Sequence, residues 1–348
     1  MPDLTSPPIP SSPWQRFYGA VHRARERRYR KTAGRLPRPV LSIGNLHWGG
    51  SGKTPMTAAV AAHFRDAGRH VAVLSRGYGS KGDGVRIVSR GDGPLLGPAV
   101  AGDEPVLLAG LLPGVAVVVC SDRYRAGLHA MERLDPAPDL FLLDDGFSHL
   151  KLGRDLDLLV FPSSDPFGGG RLLPSGRLRE PLAAARRAHV AVLAGPPCPA
   201  SLGPKLADAL KRHGFEGPGF VSATVAAPAR PFRPDTDRPA PGSRVLVVSG
   251  IARPERFLDT VEAQGFQIAE RLAFSDHHRY PAASLDKIRR TFETCGADWL
   301  LTTGKDRVKL QGRLDLPSAE IPLEARPDPE LFHFLDRALR RIEGGESL

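Results

Sequence analysis

A glycine-rich turn between a short apolar segment and an alanine-rich segment is the feature that most constrains how this chain can fold. Residues 40–43 (VLSI) have the composition of a buried strand, and residues 49–54 read GGSGKT. In such a turn the glycines let successive backbone N–H groups point at phosphate oxygens, and the following helix adds the partial positive charge of its N-terminus. The segment therefore predicts a strand, a phosphate-binding loop and a helix in that order.

Lys53 and Thr54 carry the chemistry expected of this loop. In loops of this form the lysine reaches the β- and γ-phosphates of a nucleotide, and the hydroxyl binds Mg²⁺. The general pattern G-x-x-x-x-G-K-[ST] has its first glycine at position 47, where this chain has His47. The compact glycine run must then provide the curvature. We expect the nucleotide to be bound by His47, Trp48, Gly49, Gly50, Ser51, Gly52, Lys53 and Thr54.

Length and composition limit the class of protein. With 348 residues, 41% hydrophobic and 25% charged, the chain is suited to a soluble protein with two domains. It has 48 lysines and arginines against 38 acidic residues, a net charge of +10 that favours an anionic partner. No apolar run approaches the ~20 residues that span a bilayer, and the start lacks the apolar core of a signal peptide. We expect a protein that is cytosolic or bound to a membrane from the cytosolic side.

The N-terminal region divides into two parts. Residues 1–13 are rich in proline and serine and predict a disordered terminus. Residues 14–33 predict a basic amphipathic helix, because Trp14, Phe17, Tyr18 and Val21 recur at helical spacing among many arginines. Such a helix suits an anionic membrane surface. The same aromatic residues could instead pack the helix on its own domain, and the pattern does not separate the two.

Short apolar segments alternate with helical segments over residues 34–225. Strands are predicted at 40–43, 70–74, 115–120, 140–143, 156–161 and 190–193, and helices at 54–67, 104–110 and 123–133. This alternation predicts an α/β fold, a P-loop NTPase-like doubly wound and mostly parallel sheet with ligands at the carboxyl ends of its strands. Residues 226–242 contain five prolines and predict a linker. Residues 243–348 predict a second, smaller α/β domain, with strands at 245–249, 266–269 and 299–303 and helices at 254–264, 283–295 and from about 329.

Acidic residues at two places are candidates for metal binding or catalysis. Asp144 and Asp145 end a predicted strand, where P-loop proteins hold Mg²⁺ opposite the loop hydroxyl. Asp103 opens a predicted helix and could simply cap it. It could also form a general-base pair with His277, but positions so distant in sequence do not show that the two residues meet.

Four loops carry arginine or lysine, three of them together with glycine, which suits phosphate and sugar-phosphate ligands because arginine binds phosphate bidentately. Each could also be a solvated surface loop. The four loops are residues 75–79, 121–125, 168–181 and 302–307.

In number and order, these segments resemble the tetraacyldisaccharide 4'-kinases, the lipid A 4'-kinases of Gram-negative bacteria. The resemblance extends from about Trp14 to Leu310, and the displaced first glycine of the loop resembles the family's own form. The motifs that carry it are residues 42–46 (SIGNL) with 49–55 (GGSGKTP), 74–79 (LSRGYG), 102–105 (GDEP), 121–123 (SDR), 143–147 (LDDGF), 172–176 (LLPSG) with 178–181 (LREP), 276–277 (DH), and 302–303 (TT) with 305–307 (KDR).

The resemblance implies a peripheral membrane kinase on the cytoplasmic face of the bacterial inner membrane. It would transfer the γ-phosphate of ATP, with Mg²⁺, to the 4'-hydroxyl of a tetraacylated disaccharide 1-phosphate, without nucleic acid or an obligate protein partner. It implies catalytic roles for Lys53, Asp103 as the base and His277 as its partner. The implied metal residues are Thr54, Glu104, Asp144 and Asp145, and the implied substrate residues are Arg76, Tyr78, Arg123 and Arg179.

The chain departs from the family pattern at two positions. Ser148 stands where the family usually has glutamine, and Gly304 stands where an acidic residue is common. The first departure puts in question the contact that the amide would make near the metal or nucleotide.

Two other functions fit parts of the sequence. A P-loop GTPase or metallochaperone-type switch would share the phosphate-binding loop, but the chain lacks the Asn/Thr-Lys-x-Asp signature that reads guanine. A nucleic-acid-binding protein would explain the net charge, but no zinc-ligand spacing, recognition helix or aromatic-rich basic sheet is present. We therefore expect a kinase.

Overall fold

The apolar segment that precedes the phosphate-binding loop forms the central strand of a large sheet. In the computed structural model of the chain, which describes residues 2–5, 13–78, 84–233 and 235–346, every residue of β1 (Val40–Gly44) is buried. β1 pairs in parallel with β5 (Leu140–Asp144) on one side and β6 (Leu156–Pro162) on the other. A parallel strand buried on both faces is expected to be a continuous apolar run, as this one nearly is.

Within the described ranges of the chain, the large sheet has nine strands. Besides the three central ones it contains β2 (Val71–Ser75), β3 (Arg86–Ser89), β4 (Ala116–Val119), β7 (Val190–Gly195), β8 (Gly219–Ala226) and β14 (Leu323–Pro327). Their order is β14-β8-β7-β6-β1-β5-β2-β4-β3, and the pairs at the two edges, β14 with β8 and β3 with β4, are antiparallel. The predicted mostly parallel, doubly wound sheet is confirmed.

Helices cover both faces of this sheet. They are α1 (Pro13–Thr32), α2 (Lys53–Asp66), α3 (Pro98–Ala101), α4 (Asp103–Leu111), α5 (Arg123–Arg133), α6 (Leu202–Lys211) and α10 (Pro329–Glu343). Residues of α2, α4 and α10 share one hydrophobic core with the sheet, whereas α5 and α6 each contribute to a separate core.

A second sheet of five strands forms the smaller unit. It contains β9 (Arg230–Pro231), β10 (Arg244–Ser249), β11 (Gln267–Ala273), β12 (Trp299–Thr303) and β13 (Ser318–Ile321), in the order β11-β10-β12-β13-β9. Its helices are α7 (Pro254–Ala263), α8 (Ala282–Cys295) and α9 (Gly304–Leu310). The predicted second, smaller α/β unit is therefore present.

The division of the chain differs from the expected one in two respects. Within the proline-rich segment expected to be a linker, β9 pairs with β13 at the edge of the smaller sheet, a position where a strand tolerates proline. At the end of the chain, β14 pairs with β8 and α10 packs on the large sheet. Residues 323–346, which we expected in the smaller unit, thus return to the large one.

The predicted N-terminal helix is present as α1, although most of the terminus predicted to be disordered lies outside the described residues. The Tyr18 hydroxyl donates a hydrogen bond to the Arg179 carbonyl oxygen (3.2 Å), and His22 is buried. Phe17 and Val21 are instead 62% and 51% exposed. For Trp14, Gln15, Arg16 and Arg30 only the backbone is described. In the described part of the chain, no helix has both the length and the hydropathy needed to cross a bilayer.

Ion pairs, rather than apolar contacts alone, hold α1 on the large unit. His22 Nε2 lies 3.1 Å from Glu180 Oε2, and His22 Nδ1 lies 3.5 Å from Glu26 Oε1. Arg187 bonds both carboxylates, at 2.8 Å to Glu26 and 2.6 Å to Glu180. Burial alone would lower the pKa of His22, but the hydrogen bonds to Glu180 and Glu26 outweigh it and raise the pKa to about 9. His22 is therefore a cation at neutral pH.

We predict that His22→Gln lowers stability in a pH-dependent manner. Because the pKa of His22 is higher in the folded than in the unfolded protein, its contribution is complete below about pH 6.5 and is lost as the pH rises through about 9. We expect the variant to lose about 1.5–3 kcal/mol of unfolding free energy at pH 6 and to approach the wild type above pH 9. Urea titrations across this range measure the difference.

The matched control is His333→Gln, which removes an exposed histidine–glutamate pair at 3.3 Å. It should change the unfolding free energy little at any pH. A loss in His22→Gln that stayed constant from pH 6 to 9.5 would contradict a charged His22.

Candidate active site

The phosphate-binding loop is built where β1 ends and α2 begins. Gly52 caps α2 with φ of +83°, a left-handed conformation that favours glycine. Lys53 and Thr54 then open the helix, and the Thr54 side chain is almost fully buried. Burial lowers the pKa of Lys53, although the charge of Asp145 opposes this effect, and the two side chains are 3.6 Å apart. The loop therefore presents a cation and a hydroxyl at the helix N-terminus.

Two buried side chains, Asn45 and His47, lie next to the phosphate-binding loop. Asn45 is fully buried and donates a hydrogen bond from Nδ2 to Ser51 Oγ (2.6 Å). His47, at the position of the displaced glycine, packs edge-on against Phe161, and burial lowers its pKa to about 4. A neutral His47 inside the protein supports the loop's shape, whereas the adjacent Trp48 is 62% exposed. Sequence reasoning assigned no role to Asn45, although it lies in a quoted motif.

The two aspartates at the end of β5 point to different partners. Asp144 is buried and accepts a hydrogen bond from the Thr57 hydroxyl on α2 (3.0 Å). Asp145 has a positive φ of 51°, so the chain turns sharply after the strand and its carboxylate lies beside Lys53. Burial, with the charges of Glu104 and Asp145, raises the pKa of Asp144 to about 7. The predicted acidic strand end therefore lies next to the loop.

Arg179 connects these two parts of the site. Its guanidinium forms a bidentate pair with Asp145, at 3.0 Å and 2.8 Å, and also bonds the side-chain oxygen of Asn45. Burial alone would raise the pKa of Asp145, but the hydrogen bonds from Arg179 and the charge of Lys53 hold it below its usual range. From the sequence, Arg179 is predicted to be a substrate residue. In the structure its guanidinium is paired with Asp145.

The N-terminus of α4 brings the other acidic candidates into the same region. Gly102 has φ of +92°, and a Cβ there would lie 2.8 Å from the Tyr78 carbonyl oxygen, so glycine allows α4 to begin against that loop. Asp103 Oδ2 lies 3.6 Å from His277 Nδ1, which places the proposed pair together. Glu104 pairs with Lys305 at 2.5 Å. Burial alone would raise the pKa of Glu104, but the charge of Lys305 lowers it.

The remaining substrate candidates surround this cleft. Arg76 is exposed, and Tyr78 is 68% exposed with its ring 6.1 Å from that of His277. Arg123 is buried and donates to the Ser121 carbonyl oxygen, and burial together with the charge of Arg76 lowers its pKa to about 10. The last residue of the motif at 75–79 lies outside the described residues.

The donor set fits Mg²⁺ bound together with a nucleotide. Mg²⁺ is usually held by one or two carboxylates plus phosphate oxygens and water, so a complete protein cage is not expected. Among the described residues no cluster of three or more metal-binding side chains occurs. Burial, with the charges of Glu104 and Asp145, raises the pKa of Asp144, and a divalent cation beside these carboxylates would offset their negative charge. Thr54 and Asp144 would hold the ion, because Asp145 and Glu104 pair with cationic side chains.

Comparison with known proteins assigns this arrangement to a family. The family model described as tetraacyldisaccharide-1-P 4'-kinase matches residues 11–340. The chain belongs to the tetraacyldisaccharide 4'-kinase family. Tetraacyldisaccharide 4'-kinase of Geobacter sulfurreducens is 42% identical over 93% of this chain and 91% of its own, and that of Pelobacter propionicus is 41% identical over 90% and 86%.

A solved structure agrees with the family assignment. The crystal structure of LpxK from Aquifex aeolicus in complex with ATP has a TM-score of 0.73 and 32% identity, covering 94% of this chain and 98% of that one. The family resemblance and fold class expected from the sequence are thus confirmed.

The two departures from the family pattern have local explanations in the structure. Ser148 bonds the Glu180 carboxylate, within the network that docks α1 rather than beside the acidic strand end. At Gly304, a Cβ would lie 3.1 Å from Glu320 Oε2, and Glu320 is itself fully buried between Arg230 and Arg307. A buried carboxylate from β13 therefore occupies the space next to position 304.

We predict that Arg179→Gln lowers kcat/KM for the kinase reaction about 10- to 100-fold. The substitution leaves Asp145 with Lys53 as its remaining cationic partner, so Lys53 is drawn away from the phosphate. Initial-rate kinetics measure the loss. Arg177→Gln is the matched control, because its half-exposed side chain lies 3.9 Å from Asp165, outside this cluster. Equal kinetics for the two variants would contradict the linking role of Arg179.

Proposed function

We propose that this protein transfers the γ-phosphate of ATP to the 4'-hydroxyl of a tetraacylated disaccharide 1-phosphate. Membership of the tetraacyldisaccharide 4'-kinase family and the similarity to an ATP-bound LpxK support the reaction. One observation supports roles for particular residues in this reaction. Asp103 and His277 lie close together, in the same cleft as Lys53 and the acidic strand end. This proximity supports roles for these groups as base, phosphate-binding cation and metal-binding edge around one space.

The residues of the chain can divide the reaction between them. Asp103 accepts the proton of the acceptor hydroxyl while the oxygen of that hydroxyl forms the new bond to the γ-phosphorus. His277 holds the Asp103 carboxylate in position. The bond from the γ-phosphorus to the bridging oxygen breaks, and ADP leaves. Lys53 and the backbone N–H groups of the loop offset the charge on the phosphate oxygens. Phosphoryl transfer of this kind depends mainly on positioning and charge stabilisation.

Mg²⁺ is the proposed metal cofactor, held by Thr54 and Asp144. When bound, it would neutralise charge on the β- and γ-phosphate oxygens. Arg76, Tyr78 and Arg123 are the proposed substrate residues, since they line the same side of the sheet. No feature of the fold or of the comparisons favours a GTPase or metallochaperone function.

We predict that Asp103→Ala reduces phosphate transfer by at least 10²-fold while ATP still binds. Removing a general base typically costs 10²–10⁴ in rate, whereas Asp103 makes no part of the phosphate-binding loop. The assay follows labelled γ-phosphate into a tetraacyl disaccharide 1-phosphate in detergent micelles, and calorimetry follows ATP binding.

Lys53→Ala is the companion variant and should lose both transfer and tight ATP binding. Full activity in Asp103→Ala would remove Asp103 from the mechanism. If wild-type protein bound or hydrolysed ATP but left the lipid unlabelled, the kinase function itself would be contradicted.

We also propose that α1 attaches the protein to the cytoplasmic face of the inner membrane. Phe17 and Val21 are exposed on the helix, and arginines surround them. Exposed apolar groups beside cations suit an anionic lipid surface, because burial of the apolar groups and attraction to phosphate add together. Docking of the opposite side of α1 on the large unit would bring that surface close to the cleft.

We predict that the double variant Phe17→Ser/Val21→Ser binds anionic vesicles at least fivefold more weakly. Vesicle sedimentation measures the bound fraction. Leu128→Ser on α5 is the control, since Leu128 is also exposed (43%) but lies on a different helix. Unchanged sedimentation of the double variant would show that these residues do not bind lipid.

A further inference from the structure

A buried lysine in the cleft has no role in the reaction described so far. Lys309 lies on α9, and its side chain is only 5% exposed. Its Nζ lies 3.0 Å from Asp306 Oδ1 and 3.4 Å from Asp103 Oδ2. Lysines are almost never fully buried unless paired, so the two carboxylates define this position. One belongs to the smaller unit and the other is the proposed base.

Asp306 is held firmly by its own unit. It is fully buried, and its Oδ2 accepts hydrogen bonds from the Gly250 N–H (2.9 Å) and the Thr303 hydroxyl (2.8 Å). The Lys309 ammonium also lies 5.4 Å from the ring centre of buried Tyr280. Lys309 is therefore held by Asp306 and Tyr280 of the smaller unit, and among the described residues its ion pair with the large unit is the one with Asp103.

The contacts on Asp103 are not shared evenly between its two oxygens. Among the described residues, both ion-pair contacts fall on Oδ2, from His277 Nδ1 at 3.6 Å and from Lys309 Nζ at 3.4 Å. An ionised carboxylate accepts hydrogen bonds at both oxygens. With both nitrogens nearest to Oδ2, Oδ1 is the oxygen left for an acceptor hydroxyl.

We propose that Lys309 is a positioning residue that orients the Asp103 carboxylate from the smaller unit. The proposal rests on the proposed role of Asp103 as the base. Lys309 acts through Asp103 and does not itself touch the substrate. The competing explanation is that Lys309 serves only as the counter-ion that allows Asp306 to be buried.

The first test compares Lys309→Met with Lys309→Arg. A misplacement of about 1 Å can cost 10²-fold in rate, so we expect kcat of Lys309→Met to fall about 10- to 100-fold with the KM for ATP changed less than twofold. Lys309→Arg keeps the charge and should recover most of kcat. Lys211→Met is the matched control, because Lys211 pairs with Asp208 at the same helical spacing (2.7 Å) but is 70% exposed. It should match the wild type.

The second test separates positioning from burial of Asp306. Lys309→Met leaves buried Asp306 without its cation, which by itself destabilises the variant. In Lys309→Met/Asp306→Asn both charges are gone, and the asparagine oxygen can still accept from Gly250 and Thr303. A recovered melting temperature with kcat still low supports the proposal. Recovery of both the melting temperature and kcat would overturn the proposal, because Lys309 would then be only a counter-ion for Asp306.

The third test uses Asp103→Ala as the background. If Lys309 acts through Asp103, adding Lys309→Met to Asp103→Ala should cause no further loss of the residual rate. A further 10-fold loss would overturn the proposal. A fully active Asp103→Ala would overturn the proposed base as well. Loss of activity in Asp103→Ala with normal kcat in Lys309→Met would overturn the positioning role alone.

Discussion

The site depends on cations and carboxylates that neutralise one another in a partly exposed cleft. Asp145 lies between Lys53 and Arg179, and Glu104 faces Lys305. Removing one partner leaves the other charge without compensation, at a cost that solvent screening holds below the about 3–5 kcal/mol of a fully buried pair. Each group in the cleft is thus constrained by its neighbours. The parallel sheet provides this proximity, since β1 and β5 are adjacent strands that end at the same edge.

The parts of the site that the sequence predicts are those in which chemistry and local structure coincide. The loop at 49–54 and the aspartates after β5 each follow an apolar strand, so their location at one sheet edge follows from the pattern alone. The residue types suggested a general-base pair of Asp103 with His277, but only the family resemblance implied that the two residues meet. The Lys305–Glu104 and Lys309–Asp103 contacts join residues about 200 positions apart. No short-range pattern reports such contacts, because they depend on how the smaller unit packs on α4.

The N-terminal helix shows a second limit of pattern reasoning. Helical spacing grouped Phe17, Tyr18 and Val21 on one apolar face, but Tyr18 contacts the large unit while the other two are exposed. The docking face depends on His22 and the carboxylates around it, which an apolar pattern cannot show. The return of β14 and α10 to the large sheet was missed for a related reason. Short edge strands carry weak alternation, and their partner is set by tertiary packing.

The cleft is composed of residues from both units. The large unit supplies Asp103, whereas the smaller unit supplies both His277 and Lys309. The phosphate-binding loop, by contrast, lies entirely within the large unit. On the proposed mechanism, the nucleotide contacts lie in the large unit, while orientation of Asp103 depends on α9 being seated on α4. A substitution that loosens this contact should reduce kcat far more than it weakens ATP binding.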